Sequence, residues 1–224
     1  MSRAGGPALA LFDLDHTLIP FDSGLAWTRF LTDLGELPDD AELRYLDFCR
    51  QYVAGTLDIH AMHRAMMAPL TRVPPDRLAG WVAQFEQAMA PRVPPSRQAL
   101  VQRHLAAGDL CVIVTATTRF IAEPFARLFG VADLVATEAA RHEGLLTGEI
   151  AGDPCFREHK RTRVGHWLAQ RRASLEDFEE SWFYSDSASD LPLLSAVTHP
   201  IAVDPDPRLR SHALAEGWML LEPA

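Results

Sequence analysis

Two carboxylates, Asp13 and Asp15, stand two residues apart directly behind the apolar run Ala8-Leu9-Ala10-Leu11-Phe12. A run this short and continuous reads as a fully buried parallel strand. Both acids then emerge together at its carboxyl end, on the rim of an open α/β sheet, where ligands bind. Like charges so close repel unless one is protonated or a cation lies between them. The pair therefore implies a metal ion, a shared proton, or both. Three further pieces occupy equivalent places, at the end of an expected strand or the start of the next helix. They are Thr115 to Thr118, Lys160, and Tyr184-Ser185-Asp186-Ser187-Ala188-Ser189-Asp190.

The elements that must position these groups are legible in outline. Behind the first motif the alternation of strand and helix breaks off, and residues 23–90 read as purely helical. The first helix opens near Asp22 or Ser23 as N-cap, carries Leu25, Ala26, Phe30, Leu31 and Leu34 at helical spacing, and stops around Gly35 and Pro38. Three more follow, from about Asp39 to Gly55, Asp58 to Leu70, and Pro74 to Met89, making a small bundle. Pro91, Pro94 and Pro95 then mark a boundary. Beyond it, strands are expected at Leu110–Thr115, Leu134–Thr137, Trp182–Ser185 and Ile201–Val203, with Leu145–Ile150 in a local hairpin. Helices are expected at Ser96–Ala107, Thr118–Phe129, His159–Arg172, Leu191–Ala196 and Arg208–Glu216. This alternation predicts an α/β fold with a doubly wound parallel sheet. Residues 1–19 and 93–224 would form the α/β core domain, and residues 20–92 a helical-bundle cap domain.

Bulk properties narrow the function. The chain has 224 residues, of which 48% are hydrophobic and 23% charged, the composition of an ordinary folded protein. Its 21 Lys and Arg face 30 Asp and Glu, a balance of −9, with no basic run to follow a phosphate backbone, so nucleic acid is not an expected partner. Only Arg3 precedes an apolar stretch that Asp13 interrupts, too short for a signal peptide or a membrane span. A cytoplasmic protein is expected. Cys49, Cys111 and Cys155 have neither disulfide-framework nor zinc spacing.

The four pieces, in this order, resemble the signature of haloacid dehalogenase superfamily phosphatases: Asp-x-Asp-x-Thr, a strand-end Thr or Ser, a Lys, and an Asp-x-x-x-Asp. The helical insertion behind the first motif resembles the cap of subfamily IB, the phosphoserine phosphatase branch. The resemblance implies that Asp13 attacks phosphorus and becomes an aspartyl phosphate. Asp15 would protonate the leaving alcohol and later take a proton from water. Mg²⁺ would be bound by Asp13, the backbone carbonyl of Asp15, and Asp186. Thr115 and the amide of Ala116 would cradle phosphate, Lys160 would neutralise it, and Asp190 would orient Lys160 or a metal-bound water. Thr117 or Thr118 could share the role of Thr115, Arg157 and Arg161 compete with Lys160, and Asp186 and Asp190 could instead be helix caps. His16 occupies the variable place.

Substrate choice would fall to the cap. The resemblance puts Asp22 where an acid holds a substrate amine and Arg64 where an arginine holds a carboxylate. Thr115-Ala116-Thr117 and Ser185-Asp186-Ser187 replace the Ser-Gly-Gly and Gly-Asp-Gly of typical phosphoserine phosphatases, which fits better with relatives resembling histidinol-phosphate phosphatases. A cationic amino alcohol phosphate would want Asp22 but no arginine, and Phe21, Trp27 and Tyr52 could wall an imidazole. Histidinol phosphate is thus the first expected substrate and phosphoserine the second. The cap would hinge near Ile19 to Asp22 and Met89 to Pro94. A phospho-acceptor signalling module and a phosphotransferase acting on another alcohol are the rival readings. Oligomeric state is not legible.

Overall fold

The computed structural model describes residues 8–222; Arg3 and the rest of the amino-terminal stretch weighed above lie outside them. Six parallel strands form the central sheet: β1 (Leu9–Phe12), β2 (Leu110–Thr118), β3 (Asp133–Thr137), β6 (Ser181–Ser185), β7 (His199–Val203) and β8 (Met219–Leu221). Their order is β3-β2-β1-β6-β7-β8. The intervening β4 (Ala139–His142) and β5 (Leu145–Ile150) pair with each other as an antiparallel hairpin. The chain builds outward from β1 first through β2 and β3, then on the other side through β6, β7 and β8. The carboxyl end of β1 is therefore the switch point, the crevice where such sheets bind ligands.

Alternation along each strand feeds two separate layers. Leu9, Leu11, Val112, Val114 and Phe183 pack against the face covered by α7 (Glu158–Gln170), α8 (Leu191–Leu194) and α9 (Pro207–Glu216). Ala10, Phe12, Cys111, Ile113 and Ile201 pack on the opposite face, under α5 (Pro95–Ala107) and α6 (Arg119–Phe129). Period-two side chains burying both faces are what a doubly wound sheet requires.

Four helices lie between β1 and α5: α1 (Ser23–Asp33), α2 (Ala41–Val53), α3 (Ile59–Met67) and α4 (Pro75–Met89). They do not bury a core of their own. The apolar cluster that holds Phe12 and Ile113 of the sheet continues through Phe120 and Phe125 of α6 into Trp27 and Leu31 of α1 and Trp81 and Phe85 of α4. Ring contacts stitch the seam: Trp27 to Phe120 at 5.7 Å and Phe85 to Phe125 at 5.8 Å, both edge-on, the favoured geometry for aromatic pairs. On the other side α3 packs against β5 of the hairpin.

The expected elements are found within a few residues, with three differences. Strand β2 runs on to Thr118, because its pairing with β3 shifts between Thr115 and Thr118. Such a bulge leaves Ala116 and Thr117 off the ladder and re-aims the strand end. Strand β8, a three-residue edge, carries too few residues for an alternation to be read. Strand β4 was masked by Arg141 and His142, both exposed on a two-stranded ribbon.

Candidate active site

All four motifs reach one cavity of about 760 Å³ between the carboxyl edge of the sheet and helices α1 to α3. Asp13, Asp15, Asp22, Thr115, Ala116, Lys160, Asp186 and Asp190 line it together. Asp13 is fixed by the sheet itself, its N–H donating to the Tyr184 carbonyl at 2.9 Å one step beyond the β1–β6 ladder. Lys160, in the first turn of α7, is buried and donates through Nζ to Asp13 Oδ1 at 2.8 Å and to Asp190 Oδ2 at 2.7 Å. Burial works against its charge, but the attraction of Asp13 and Asp190 outweighs it and holds the ammonium well above the ordinary lysine value. Of the competing cations, Arg161 is exposed. Arg157 turns outward, donating to the Gly55 carbonyl at 3.1 Å. Asp13 Oδ2 has no hydrogen-bond partner among the described residues, so this oxygen stays available to a ligand.

The loop after β1 is tied to the loop after β6. Thr17 Oγ1 donates to Asp186 Oδ1 at 3.1 Å and accepts from the Asp186 N–H at 3.0 Å. Ser185 donates to Asp190 Oδ2 at 2.8 Å. Asp206 caps α9 and accepts the Ala188 N–H, fixing the same loop from behind. Sequence reasoning assigned no role to Thr17, Ser185 or Asp206. The hydroxyl in the first motif was the one legible signal among them.

Asp15 is held on both oxygens. The Ser23 N–H donates to Oδ1 at 2.8 Å, and the Thr117 hydroxyl donates to Oδ2 at 2.7 Å. Burial, then repulsion from Asp22 and Asp13, push its carboxyl up to about 7. Asp186 is pushed up to about 8 by burial and by Asp13 and Asp190. Asp190 is pushed up to about 6, burial prevailing over the pull of Lys160. Thr115, expected to share its role with Thr117 or Thr118, is buried at the strand end, where its Oγ1 accepts the Thr117 N–H at 3.1 Å. Its own proton remains free for another acceptor. Thr118 faces His63 of α3 instead.

The donor set suits a hard divalent cation. Asp13 and Asp190 share one buried ammonium with Asp15 and Asp186 lining the same cavity, and the buried Asp190 Oδ1 has no partner among the described residues. The surplus is of oxygen ligands and negative charge, which Mg²⁺ satisfies. Among the described residues, no three Asp, Glu, His or Cys side chains converge as a ready-made chelate. A cation here would depend on two carboxylates, a backbone carbonyl and solvent, the few-carboxylate pattern usual for Mg²⁺.

The helical wall departs from expectation at Arg64. Its guanidinium is half-exposed, pairs with Glu149 of β5 at 3.4 Å, and does not line the cavity. Residues one step apart on a helix point about 100° apart, and it is the neighbouring His63 that faces inward. Asp22 is the N-cap of α1, accepting the Leu25 N–H at 2.7 Å and the buried Tyr45 hydroxyl at 2.6 Å on the same oxygen. Its second oxygen has no partner among the described residues. Gly24 permits this: a Cβ there would lie 2.2 Å from the Tyr45 hydroxyl. Most of the remaining wall is apolar, with Trp27, Leu46, Phe48, Met62, Met66 and Phe156.

Comparison with known proteins agrees with this geometry. A family model described as haloacid dehalogenase-like hydrolase matches residues 10–195. A histidinol-phosphatase of Neisseria meningitidis serogroup C (strain 8013) is 40% identical over 217 residues, covering 95% of this chain and 97% of that protein. The crystal structure of a protein of unknown function from Bordetella pertussis Tohama I superposes with a TM-score of 0.91 at 44% identity, over 97% of this chain and 99% of that one. A substrate-bound phosphoserine phosphatase shares the fold at a TM-score of 0.68 and 17% identity, over 98% and 94%. Among the described residues no helix is long and apolar enough to cross a membrane.

Proposed function

The chain belongs to the haloacid dehalogenase-like hydrolases, and from that premise we propose that it hydrolyses small polar phosphomonoesters through a phosphorylated Asp13. The observation carrying this reading is the division of labour within Asp13: Lys160 occupies Oδ1 while Oδ2 stays unpartnered beside Asp15. A carboxylate so held is positioned beside a fixed positive charge, which is most of what phosphoryl transfer asks of a protein. Asp15, its carboxyl raised to about 7 by its crowded setting, gives its proton to the departing alcohol and recovers one from the attacking water. Thr115 and the Ala116 amide hold phosphate oxygens, and Lys160 offsets their charge. Asp13, Asp186 and the Asp15 carbonyl would hold Mg²⁺, which when bound neutralises the phosphate and screens the repulsion that bars a carboxylate from attacking it. In this reading residues 20–92 act as a cap that excludes water over a core of 1–19 and 93–224.

The substrate reading is a cationic amino alcohol phosphate, histidinol phosphate before phosphoserine. Of the arginines and lysines on the cavity wall, Lys160 belongs to the phosphate and Arg44 is already bound to Asp40 at 2.7 Å. With Arg64 turned outward, no unpaired arginine or lysine among the described residues of the cavity wall waits for a substrate carboxylate. The free oxygen of Asp22 would receive an amine, and Trp27, Phe48 and Phe156 would face a flat ring. The 40% identical relative is named a histidinol-phosphatase, which supports the same choice. With Mg²⁺ present, kcat/KM for histidinol phosphate should exceed that for phosphoserine by about a hundredfold or more, the cost of a buried, unpaired carboxylate. Asp13→Asn should show no turnover of either. Equal use of both esters would overturn the substrate reading, and turnover by Asp13→Asn would overturn the mechanism.

A further inference from the structure

The geometry points to Thr117 and Ser23 as positioning residues for the proton donor, a Ser–Thr relay that locks the Asp15 carboxyl in one orientation. Thr117 has a single hydroxyl proton, and it is directed at Asp15 Oδ2 at 2.7 Å. The 2.9 Å contact between Ser23 Oγ and Thr117 Oγ1 must then carry the Ser23 proton. The order is Ser23 Oγ–H to Thr117 Oγ, then Thr117 Oγ–H to Asp15 Oδ2, while the Ser23 N–H closes on Oδ1 at 2.8 Å. Ser23 is buried and Thr117 part-buried. Two donors on two oxygens stop rotation of the carboxyl about its last torsion, which is otherwise broad.

The bulge between Thr115 and Thr118 is what delivers the Thr117 hydroxyl. On a regular strand, residues 115 and 117 would share a face and compete for the same ligand. Here Thr115 is free for phosphate and Thr117 is committed to Asp15. Ser23 is the first residue of α1, so the proton donor is completed by a helix outside the sheet.

This inference rests on the reading of Asp15 as acid and base. In the first step Asp13 Oδ2 bonds to phosphorus, the ester P–O bond breaks, and the Asp15 proton passes to the departing oxygen. In the second, water bonds to phosphorus, its proton passes to Asp15, and the bond to Asp13 breaks. An alkyl leaving group needs the proton in the first step; p-nitrophenolate scarcely does. Both esters need Asp15 in the second.

The test is rapid-mixing kinetics of Thr117→Val, Thr117→Ser and Ser23→Ala with p-nitrophenyl phosphate and an alkyl phosphate. General acid–base catalysis is worth about 10²–10⁴-fold, so misorienting the donor should cost at least about tenfold. Thr117→Val should cut alkyl ester kcat by that factor with KM nearly unchanged. With p-nitrophenyl phosphate it should keep the wild-type burst rate and slow only the steady phase. Thr117→Ser should recover most of the loss, and Ser23→Ala, which keeps the N–H, should show the same pattern at smaller amplitude. Equal slowing of both bursts, or Thr117→Ser as poor as Thr117→Val, would overturn the relay; should Thr117→Val not fold, the serine and alanine variants decide alone. Asp15→Asn separates the two levels: if it fails to discriminate between leaving groups, the acid–base reading falls, not merely its positioning.

Discussion

The four helices inserted behind β1 divide into two parts attached to the sheet by different chemistry. Helices α1 and α4 are welded on by aromatic rings: Trp27, Phe30 and Phe85 interlock at 5.2–5.7 Å and continue into Phe120 and Phe125 of α6. Helix α2 and the loop behind it touch the other rim mainly through polar ties, whereas α3 packs on β5 and buries Met67 in the same apolar cluster as Phe85. Tyr52 shares hydrogen bonds with Ser187 at 2.7 Å and Ser189 at 3.2 Å, and Arg157 reaches the Gly55 carbonyl at 3.1 Å. Leu43 and Val53 of α2 remain largely exposed. Dispersion and burial over many atoms hold α1, α3 and α4, and a few exchangeable hydrogen bonds hold α2. Local opening is drawn from regions with few buried apolar contacts, so entry to the cavity belongs to α2. Ser23, whose N–H holds Asp15, belongs to α1 and stays with the sheet.

The sharpest way to break this contrast is to empty the weld. Phe85 is fully buried, so Phe85→Ala should cost about 3–5 kcal/mol. Val53→Ala, at a position 87% exposed, should stay within about 0.5 kcal/mol. Because the Phe85 cluster is continuous with that of Phe12 and Ile113, melting of Phe85→Ala followed by far-ultraviolet dichroism and by tryptophan fluorescence should remain one coincident transition. Two separated transitions would mean that the insertion folds as a body of its own, hinged as expected near Ile19 to Asp22 and Met89 to Pro94.

That expectation shows where sequence reading stops. The strand-tip groups Asp13, Asp15, Thr115, Lys160, Asp186 and Asp190 were legible because parallel strands put their carboxyl ends at one rim, whatever the side chains between them do. The inward face of a helix is harder. Arg64 and His63 differ by one position, and only the packing of α3 on β5 decides that Arg64 meets Glu149 while His63 meets Thr118. Ser23 and Thr117 were legible only in other roles, the first as a helix cap and the second beside Thr115: a residue at a helix start and another in a bulge signal capping and β-propensity, not the carboxylate that both happen to reach. Apolar residues at helical spacing in α1 announced a buried face without naming its partner, and that face meets Phe120 of α6 through Trp27.

A smaller effect sharpens the contrast from the site between the parts. The carboxyls of Asp15 and Asp186 are raised to about 7 and about 8, from 3.8. The native state therefore holds protons that the unfolded chain has released, and without metal its stability should fall as pH rises from about 4 to 8. A divalent cation binds the ionised carboxylates and should return stability mostly at the upper end of that window. In thermal melts with chelator, Tm should drop between pH 5 and pH 8 by on the order of 5 °C. Added Mg²⁺ should restore it at pH 8 and do little at pH 5. Metal-free protein growing more stable across this range would contradict the crowding of carboxylates seen at the site.

The subtlest test loosens the latch alone. Tyr52→Phe keeps the ring against Phe156, 6.0 Å away between centroids, and removes only the hydroxyl that bridges to Ser187 and Ser189. A net hydrogen bond is worth about 1 kcal/mol, so local opening of the latched part should become about fivefold more frequent. Arg157 still holds Gly55, which keeps the change from becoming full release. Hydrogen exchange should thus quicken in α2 while amides of α1 and α4 keep their wild-type rates, because Trp27 and Phe85 do not depend on the tyrosine. Quickening in α1 as well would mean that the latch carries the whole insertion. Ser23 would then leave Asp15 at every opening, and the proton donor would be assembled only in the closed state.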